Sequence, residues 1–371
     1  MNIKTLTTYN VYNYGASLQA YALQTYLKKL GHNVEIINYQ PPYLTRKYDY
    51  KWVNPESKMN NYAITRLIYK VLKFLQRQTT LKRKKAFDSF TQRMLCETSQ
   101  CYTSYTQLVN NPPQADLYIV GSDQIWNVFY ETGRDPAFYL EFVKEGKKIS
   151  YAASFSYITI DKENKERIKE SLQKFNYISV REFHGVNILN ELSIKSTWVL
   201  DPIFLLNINE WKKQMTDFKP KKKYLLIYDF EGNKELKKFA QLYAHKYNLE
   251  IHAIVDTYPL SYVHKNFNHA GPQEFLTLIY HCDAFISNSF HGTAFSILFH
   301  KPVFVFPRHR HKVNSRMESL LNMFDIKECL IEKEEDIPPG LNFHFDFEKI
   351  DLIKEKFLIE STNFIKKALY E

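Results

Sequence analysis

Residues 1–39 read MNIKTLTTYNVYNYGASLQAYALQTYLKKLGHNVEIINY, and this stretch sets the fold class. Ile3 to Thr8 reads as a strand. Gly15 then opens a helix in which Leu18, Ala22 and Tyr26 recur every fourth residue, with Leu23, Leu27 and Leu30 on the adjoining strip. Gly31 follows the last periodic residue, where a C′ glycine ends a helix. Val34 to Tyr39 is a second strand. A strand, a helix and a strand in so short a span form a βαβ unit, whose strands run parallel.

The alternation continues down the chain, which predicts an α/β architecture with mainly parallel sheets. Pro41 to Asn60 is an aromatic-rich loop. Tyr62 to Arg77 and Leu81 to Leu95 read as two amphipathic helices whose outer faces carry much of the basic charge. Strands follow at Asp116 to Val120, Ile149 to Phe155 and Tyr177 to Val180, with a polar helix near Lys162 to Phe175. Trp198 to Leu200 runs into Asp201-Pro202, which reads as a turn signal. Lys219 to Lys223 is basic and contains a proline, as a linker does. A second α/β unit then spans strands Tyr224 to Tyr228, Glu250 to Val255, Ala284 to Ser287 and Val303 to Phe306. Its helices fall at Lys234 to Tyr247, Pro272 to His281 and Gly292 to Phe299. A last helix falls within Phe347 to Tyr370. The expected organisation is two Rossmann-like domains facing a cleft. Residues 1–218 form an N-terminal acceptor side with a helical insertion at about 60–95. Residues 219–345 form a C-terminal donor or anion side, and 346–371 a helix that packs back on the first domain.

Composition narrows the function. The 371 residues are 44% hydrophobic, enough for two ordinary cores. The net charge of +10 fits anionic substrates, an anionic surface or nucleic acid. No nucleic-acid module signature is present, so no nucleic-acid partner is expected. Cys96, Cys101, Cys282 and Cys329 form no CxxC pair, which suits a reducing compartment and argues against structural zinc. Met1 to Asn10 lacks the apolar run of a signal peptide, and no run of about 18 apolar residues suggests a span. A cytoplasmic location is expected, with at most peripheral contact at the inner face of the membrane. The sequence does not indicate oligomeric state.

In open α/β sheets ligands bind outside the carboxyl ends of the strands. One such end carries Ser287-Asn288-Ser289-Phe290-His291-Gly292-Thr293. Ser289, His291 and Thr293 offer donors, Gly292 permits close approach, and a helix N-terminus favours anions. The plain alternative is a capped turn with a satisfied histidine. After the next strand come Pro307-Arg308-His309-Arg310-His311-Lys312 and then Arg316, a cationic cluster suited to phosphate and carboxylate, or else a solvated loop. In the first half, Gly121-Ser122-Asp123-Gln124-Ile125-Trp126-Asn127 ends a strand. Asp123, Gln124 and Asn127 are candidates to bind sugar hydroxyls, with Trp126 as a stacking wall; Asp123 as a simple helix cap is the alternative. Asn13, Tyr14 and Gly15 form a second such turn, without GxGxxG spacing. Arg181, in Ser179-Val180-Arg181-Glu182, either anchors a phosphate or closes an ion pair at the core edge. Walker A, HExxH, GxSxG and EF-hand patterns are absent.

Five segments in order resemble the polysaccharide pyruvyl transferase family: Asn13 to Gln19, Gly121 to Asn127, Ser179 to Glu182, Val199 to Pro202 and Ser289 to Phe295. The resemblance covers about residues 1–325. It implies a fold similar to B-type glycosyltransferases, phosphoenolpyruvate as donor and co-substrate, a glycan as acceptor, and no further cofactor or metal. It implies His291 as the catalytic histidine and Arg181 as the phosphate-side arginine, with Arg308, Arg310 or Arg316 on the donor carboxylate. Asp123 is then base or acceptor-positioning group, and Arg181→Ala is expected mainly to weaken donor use. A sugar-nucleotide-dependent glycosyltransferase and a non-catalytic carbohydrate-binding relative are the competing readings, since a fold alone does not fix a function.

Overall fold

A computed structural model describes the chain apart from residues 47–48, 50–52, 54–57, 76, 257–258 and 309–313, and apart from the side chains of 58, 75 and 77–79. The first sheet holds β1 (Asn2–Leu6), β2 (Asn33–Tyr39), β3 (Glu97–Tyr102), β4 (Leu117–Val120), β5 (Lys147–Ala153), β6 (Tyr177–Val180) and β7 (Thr197–Trp198). Its order is 3-2-1-4-5-6-7, and all pairs are parallel. The second sheet holds β8 (Tyr224–Tyr228), β9 (Glu250–Ile254), β10 (Lys265–Phe267), β11 (Ala284–Ser287) and β12 (Val303–Val305), in the order 10-9-8-11-12. It too is parallel throughout. Each sheet therefore reverses its winding once, between β1 and β4 and between β8 and β11, and such switch points open crevices for ligands.

Buried on both faces, the central strands read as apolar runs: Leu117 to Val120 and Ala284 to Ser287 are buried at every position. The edge strands β3 and β10 were not expected from sequence. Glu97 to Tyr102 is polar, and only Thr98 and Tyr102 of it are buried, as suits a strand at the edge of a sheet.

The helix Tyr14–Lys29 joins the two sheets. Its Tyr14 ring stacks on Phe275, with centroids 4.3 Å apart and planes 9° apart. Tyr21 meets Trp211, which meets Phe295 edge-on. These rings belong to one apolar cluster containing residues of both sheets. The helix Phe347–Tyr370 returns to the first sheet, where Phe364, Ile365, Ala368 and Leu369 pack with Ile3, Ile149 and Tyr151.

The insertion forms helices Ala63–Leu75 and Arg77–Met94. One expectation is inverted there. The first helix exposes its aliphatic side rather than a basic one, and in the second Arg83 is buried rather than solvated. Nine of the twenty residues from Pro41 to Asn60 lie outside the described residues; Pro42–Thr45 is a single helical turn.

Candidate active site

Side chains from the ends of both sheets converge between them. From the second sheet comes His291, in the first turn of the helix Phe290–Leu298 after β11. From the first sheet come Arg181 after β6, Asp201 after β7 and Ser122-Asp123 after β4. The Arg181 guanidinium donates from Nη1 to Asp201 Oδ2 at 2.8 Å and to Ser122 Oγ at 3.3 Å, and from Nη2 to Asp123 Oδ1 at 3.3 Å. Arg181 Nη1 lies 3.4 Å from His291 Nε2, and Asp201 Oδ2 lies 3.5 Å from the same nitrogen. Thr8 donates to the other oxygen of Asp123 at 2.9 Å. The Phe290 ring lies beneath the Arg181 guanidinium, 4.3 Å from Cζ to the centroid.

The electrostatics follow from this arrangement. Burial alone would raise the Asp201 carboxyl, but His291 and Arg181 outweigh it and hold the group well below the usual carboxylate range. Asp123 is lowered in the same way, against burial, by Arg181, His291 and Arg316. Burial opposes the charge on Arg181, yet Asp201, Asp123 and Glu182 raise its pKa. Glu182 is itself buried, accepting from Ser154 Oγ and the Ser156 amide.

Arg316 differs from Arg181. It sits in the first turn of the helix Ser315–Met323, a helix not expected from sequence, and only 6% of it is exposed. Its Nε is buried with no hydrogen-bond partner, and among the described residues it closes no salt bridge. Burial, then repulsion from Arg181, pull it down to about 10, with Asp123 opposing. Arg308 is different again: its Nε reaches Glu231 at 3.3 Å and its guanidinium covers the Phe230 ring. Arg310 lies outside the described residues.

Several expected ligand contacts are instead structural. Trp126 is fully buried, donates to Phe138 O at 3.0 Å and stacks with Tyr139, so it cannot be a wall for sugar. Asn127 is buried too, and its Oδ1 accepts from the Phe129 amide. Tyr14 is a core residue whose hydroxyl donates to Ala270 O. Thr293 is buried and donates to Ser289 O of its own helix. Ser289 caps that helix by accepting from the Gly292 amide at 3.3 Å, so this amide is already engaged. A Cβ on Gly292 would fall 2.8 Å from the Phe285 ring; the glycine lets helix and strand pack closely. Of the expected acceptor-side group, only Asn13 and Gln124 are half-exposed, and Asn13 also caps its helix.

Gly15 has an unexpected neighbour. A Cβ built there would lie 1.9 Å from His291 Nδ1. The first turn of the N-terminal helix thus bears on the imidazole, and only glycine fits. We expect Gly15→Ala to push the ring off Arg181 and Asp201 and to cost about 100-fold in turnover, the scale of an ångström-sized misplacement. Steady-state rates beside a thermal melt check this; an alanine variant with wild-type turnover contradicts it.

Asp201 was missed as a site residue because Asp-Pro reads as a turn. Both readings hold at once: Oδ1 caps the turn at the Ile203 amide, and Oδ2 holds Arg181. Among the described residues no three His, Cys, Asp or Glu side chains converge as metal ligands. Among those residues, too, no helix is long and apolar enough to cross a membrane.

Two parallel sheets whose strand ends face a shared polar cluster define the Rossmann-like, two-domain architecture of B-type glycosyltransferases and sugar-nucleotide epimerases. Solved structures of this shape include S. aureus MnaA with UDP, at 11% identity and TM-score 0.50 over 98% of this chain and 89% of that one. A putative UDP-N-acetylglucosamine 2-epimerase from Listeria monocytogenes matches at 10% identity and TM-score 0.50, over 100% and 90%. The glycosyltransferase SnogD from Streptomyces nogalater matches at 11% and 0.47, over 99% of each chain. Such identities speak to the fold alone. The profile of the polysaccharide pyruvyl transferases matches residues 13–310, and the chain belongs to that family of transferases. No curated protein matches it.

Proposed function

We propose that this protein transfers the pyruvyl group of phosphoenolpyruvate to a sugar, forming a ketal and releasing phosphate. The observation that carries the reading is His291 beside the buried Arg181, with a second buried guanidinium, Arg316, over the same Phe290 ring and closing no salt bridge among the described residues. Phosphoenolpyruvate is a compact trianion, and a buried unpaired cation is costly unless an anion completes it. Membership of the family supports the same chemistry.

The reaction needs a proton on the methylene carbon, a hydroxyl added to the adjacent carbon, loss of phosphate, and a second hydroxyl to close the ring. Of the two hydroxyl protons released, one balances the new methyl group and one leaves with phosphate. His291 is the acid. With Nε2 toward Asp201, Nδ1 is the nitrogen left to exchange the proton; it lies against the Gly15 backbone, where a Cβ would overlap the ring. Asp201 and Arg181 fix the ring, and Asp201 offsets the charge of the imidazolium. Arg316 holds the donor, while Arg308 is already paired with Glu231. Asp123, ionised and a weak base, is better placed to orient an acceptor hydroxyl than to remove its proton. Fixed charges of this kind supply several kcal/mol of barrier lowering in other enzymes. The acceptor is a glycan or a glycan precursor of the cell surface.

The direct test is phosphate release from phosphoenolpyruvate in the presence of a panel of glycan acceptors. Release that requires one acceptor, with pyruvate recovered on the sugar, is the expected result. A thermal shift produced by sugar nucleotides and none by phosphoenolpyruvate would favour a glycosyltransferase instead. A second measurement isolates Arg316. Arg316→Met removes a buried charge that closes no salt bridge among the described residues, so the free protein should be as stable as wild type or more so. The same variant should lose the rise in melting temperature that phosphoenolpyruvate gives to wild type. A retained rise would remove Arg316 from the donor site.

A further inference from the structure

The helix Ala63–Leu75 is turned inside out. A surface helix of a globular protein directs its apolar stripe to the core. Here Ile64, Leu67, Ile68, Val71 and Leu72 share one arc at helical spacing, and they are 68, 61, 49, 49 and 45% exposed. The polar arc lies closer to the protein. Thr65, Tyr69, Lys70 and Lys73 are half-buried, Thr65 Oγ1 donates to Met59 O and Tyr62 O, and Lys73 Nζ donates to Asp49 O at 3.3 Å. Five large aliphatic side chains held outward on one face form the kind of contiguous patch that marks an interaction surface.

The charge around the patch selects its occupant. From residue 58 to residue 87 there are nine Lys or Arg and no Asp or Glu; of these Arg66, Lys82 and Lys85 are exposed, Lys70 and Lys73 half-buried and Arg83 buried. Exposed basic charge of one sign beside an aliphatic arc, on this helix and the next, matches a surface that is apolar beneath and anionic above, which is a bilayer carrying acidic headgroups. A second copy of this chain fits less well, because a two-fold interface would set one basic rim against another. The helix has 13 residues and is about 20 Å long, too short to span a hydrocarbon core of about 30 Å, so it lies in the interface plane.

We propose that the helix Ala63–Leu75 docks this protein on an anionic membrane surface, with its aliphatic arc inserted at the level of the headgroups. The helix is also tied to the active site. The next helix, Arg77–Met94, buries Arg83, which donates to Tyr12 O at 3.3 Å, bonds the Tyr14 hydroxyl and pairs with Asp256 across the sheets at 3.0 Å. Tyr14 adjoins Gly15, which touches His291. A docked chain therefore carries its site at a fixed place relative to the bilayer. The proposal goes beyond the transfer reaction and does not rest on it, because docking is read without substrate.

The test is co-sedimentation of the full chain with vesicles of phosphatidylcholine alone and of phosphatidylcholine with an equal part of phosphatidylglycerol. Wild type should bind the mixed vesicles about tenfold or more tightly than the neutral ones, and added salt should weaken the binding. Leu67→Gln with Val71→Gln should abolish sedimentation. Both positions are exposed, so the melting temperature should not fall. Absent binding by wild type, binding indifferent to phosphatidylglycerol, or full binding by the double variant each overturns the proposal. So does a wild-type dimer in size-exclusion chromatography that the double variant dissolves while neither form binds vesicles; a second copy then covers the patch.

Discussion

His291→Ala should lower turnover by about 100- to 10,000-fold, the range that a positioned general acid contributes. The variant should stay folded. Arg181 keeps its bond to Asp201 and its contact with the Phe290 ring without the imidazole, and Asp123 keeps its bond to Thr8. What the fold loses is one buried side chain between Gly15 and the ion pair, a change on the order of 1–3 kcal/mol. Phosphate release and urea unfolding, measured on the same preparation, separate the two effects. His291→Gln refines the result. Glutamine fills the space and can hydrogen-bond to Asp201, but it has no proton to deliver near neutral pH. A glutamine variant as slow as the alanine variant assigns the loss to acid chemistry. If glutamine restores turnover, His291 only shapes the site.

The division between what sequence revealed and what it hid has physical causes. A glycine-closed helix between two apolar strands is a local pattern, so the βαβ opening and the two Rossmann-like units were legible. Strand ends are also local, which is why His291, Arg181 and Asp123 could be named as candidates before their side chains were seen to lie together. Which way a loop residue points is not local. Asp123 reaches the cluster, while Trp126 and Asn127 in the same loop turn into the core. Asp201 was hidden because one carboxylate performs two tasks, capping its turn with one oxygen and holding Arg181 with the other. Arg316 stood among three equivalent arginines until burial set it apart from Arg308, whose charge is already met by Glu231. The helix Ala63–Leu75 makes the same point in reverse. Periodicity gives the width of an apolar stripe and says nothing of whether it faces inward.

Arg181→Met should destabilise the fold by about 3–5 kcal/mol, the usual consequence of removing one partner from a buried ion pair. From sequence this substitution was expected mainly to weaken donor use. The structure corrects that, because Arg181 is the buried counter-ion of two carboxylates, and Asp201 has no exposed surface through which water can replace it. The effect should depend on pH in a definite direction. In wild type the folded pKa of Asp201 lies below its unfolded value, so its stabilisation is present above about pH 4 and fades as the pH falls further. In the variant His291 alone is left to offset burial, so the Asp201 carboxyl rises from its wild-type position. Less of the carboxylate's stabilisation remains, and the deficit against wild type should be larger at about pH 7 than at about pH 3. Urea midpoints at the two values read this. Adding Asp201→Asn to Arg181→Met removes the stranded charge and should recover part of the loss; a strictly additive double variant would mean that Arg181 and Asp201 do not support one another.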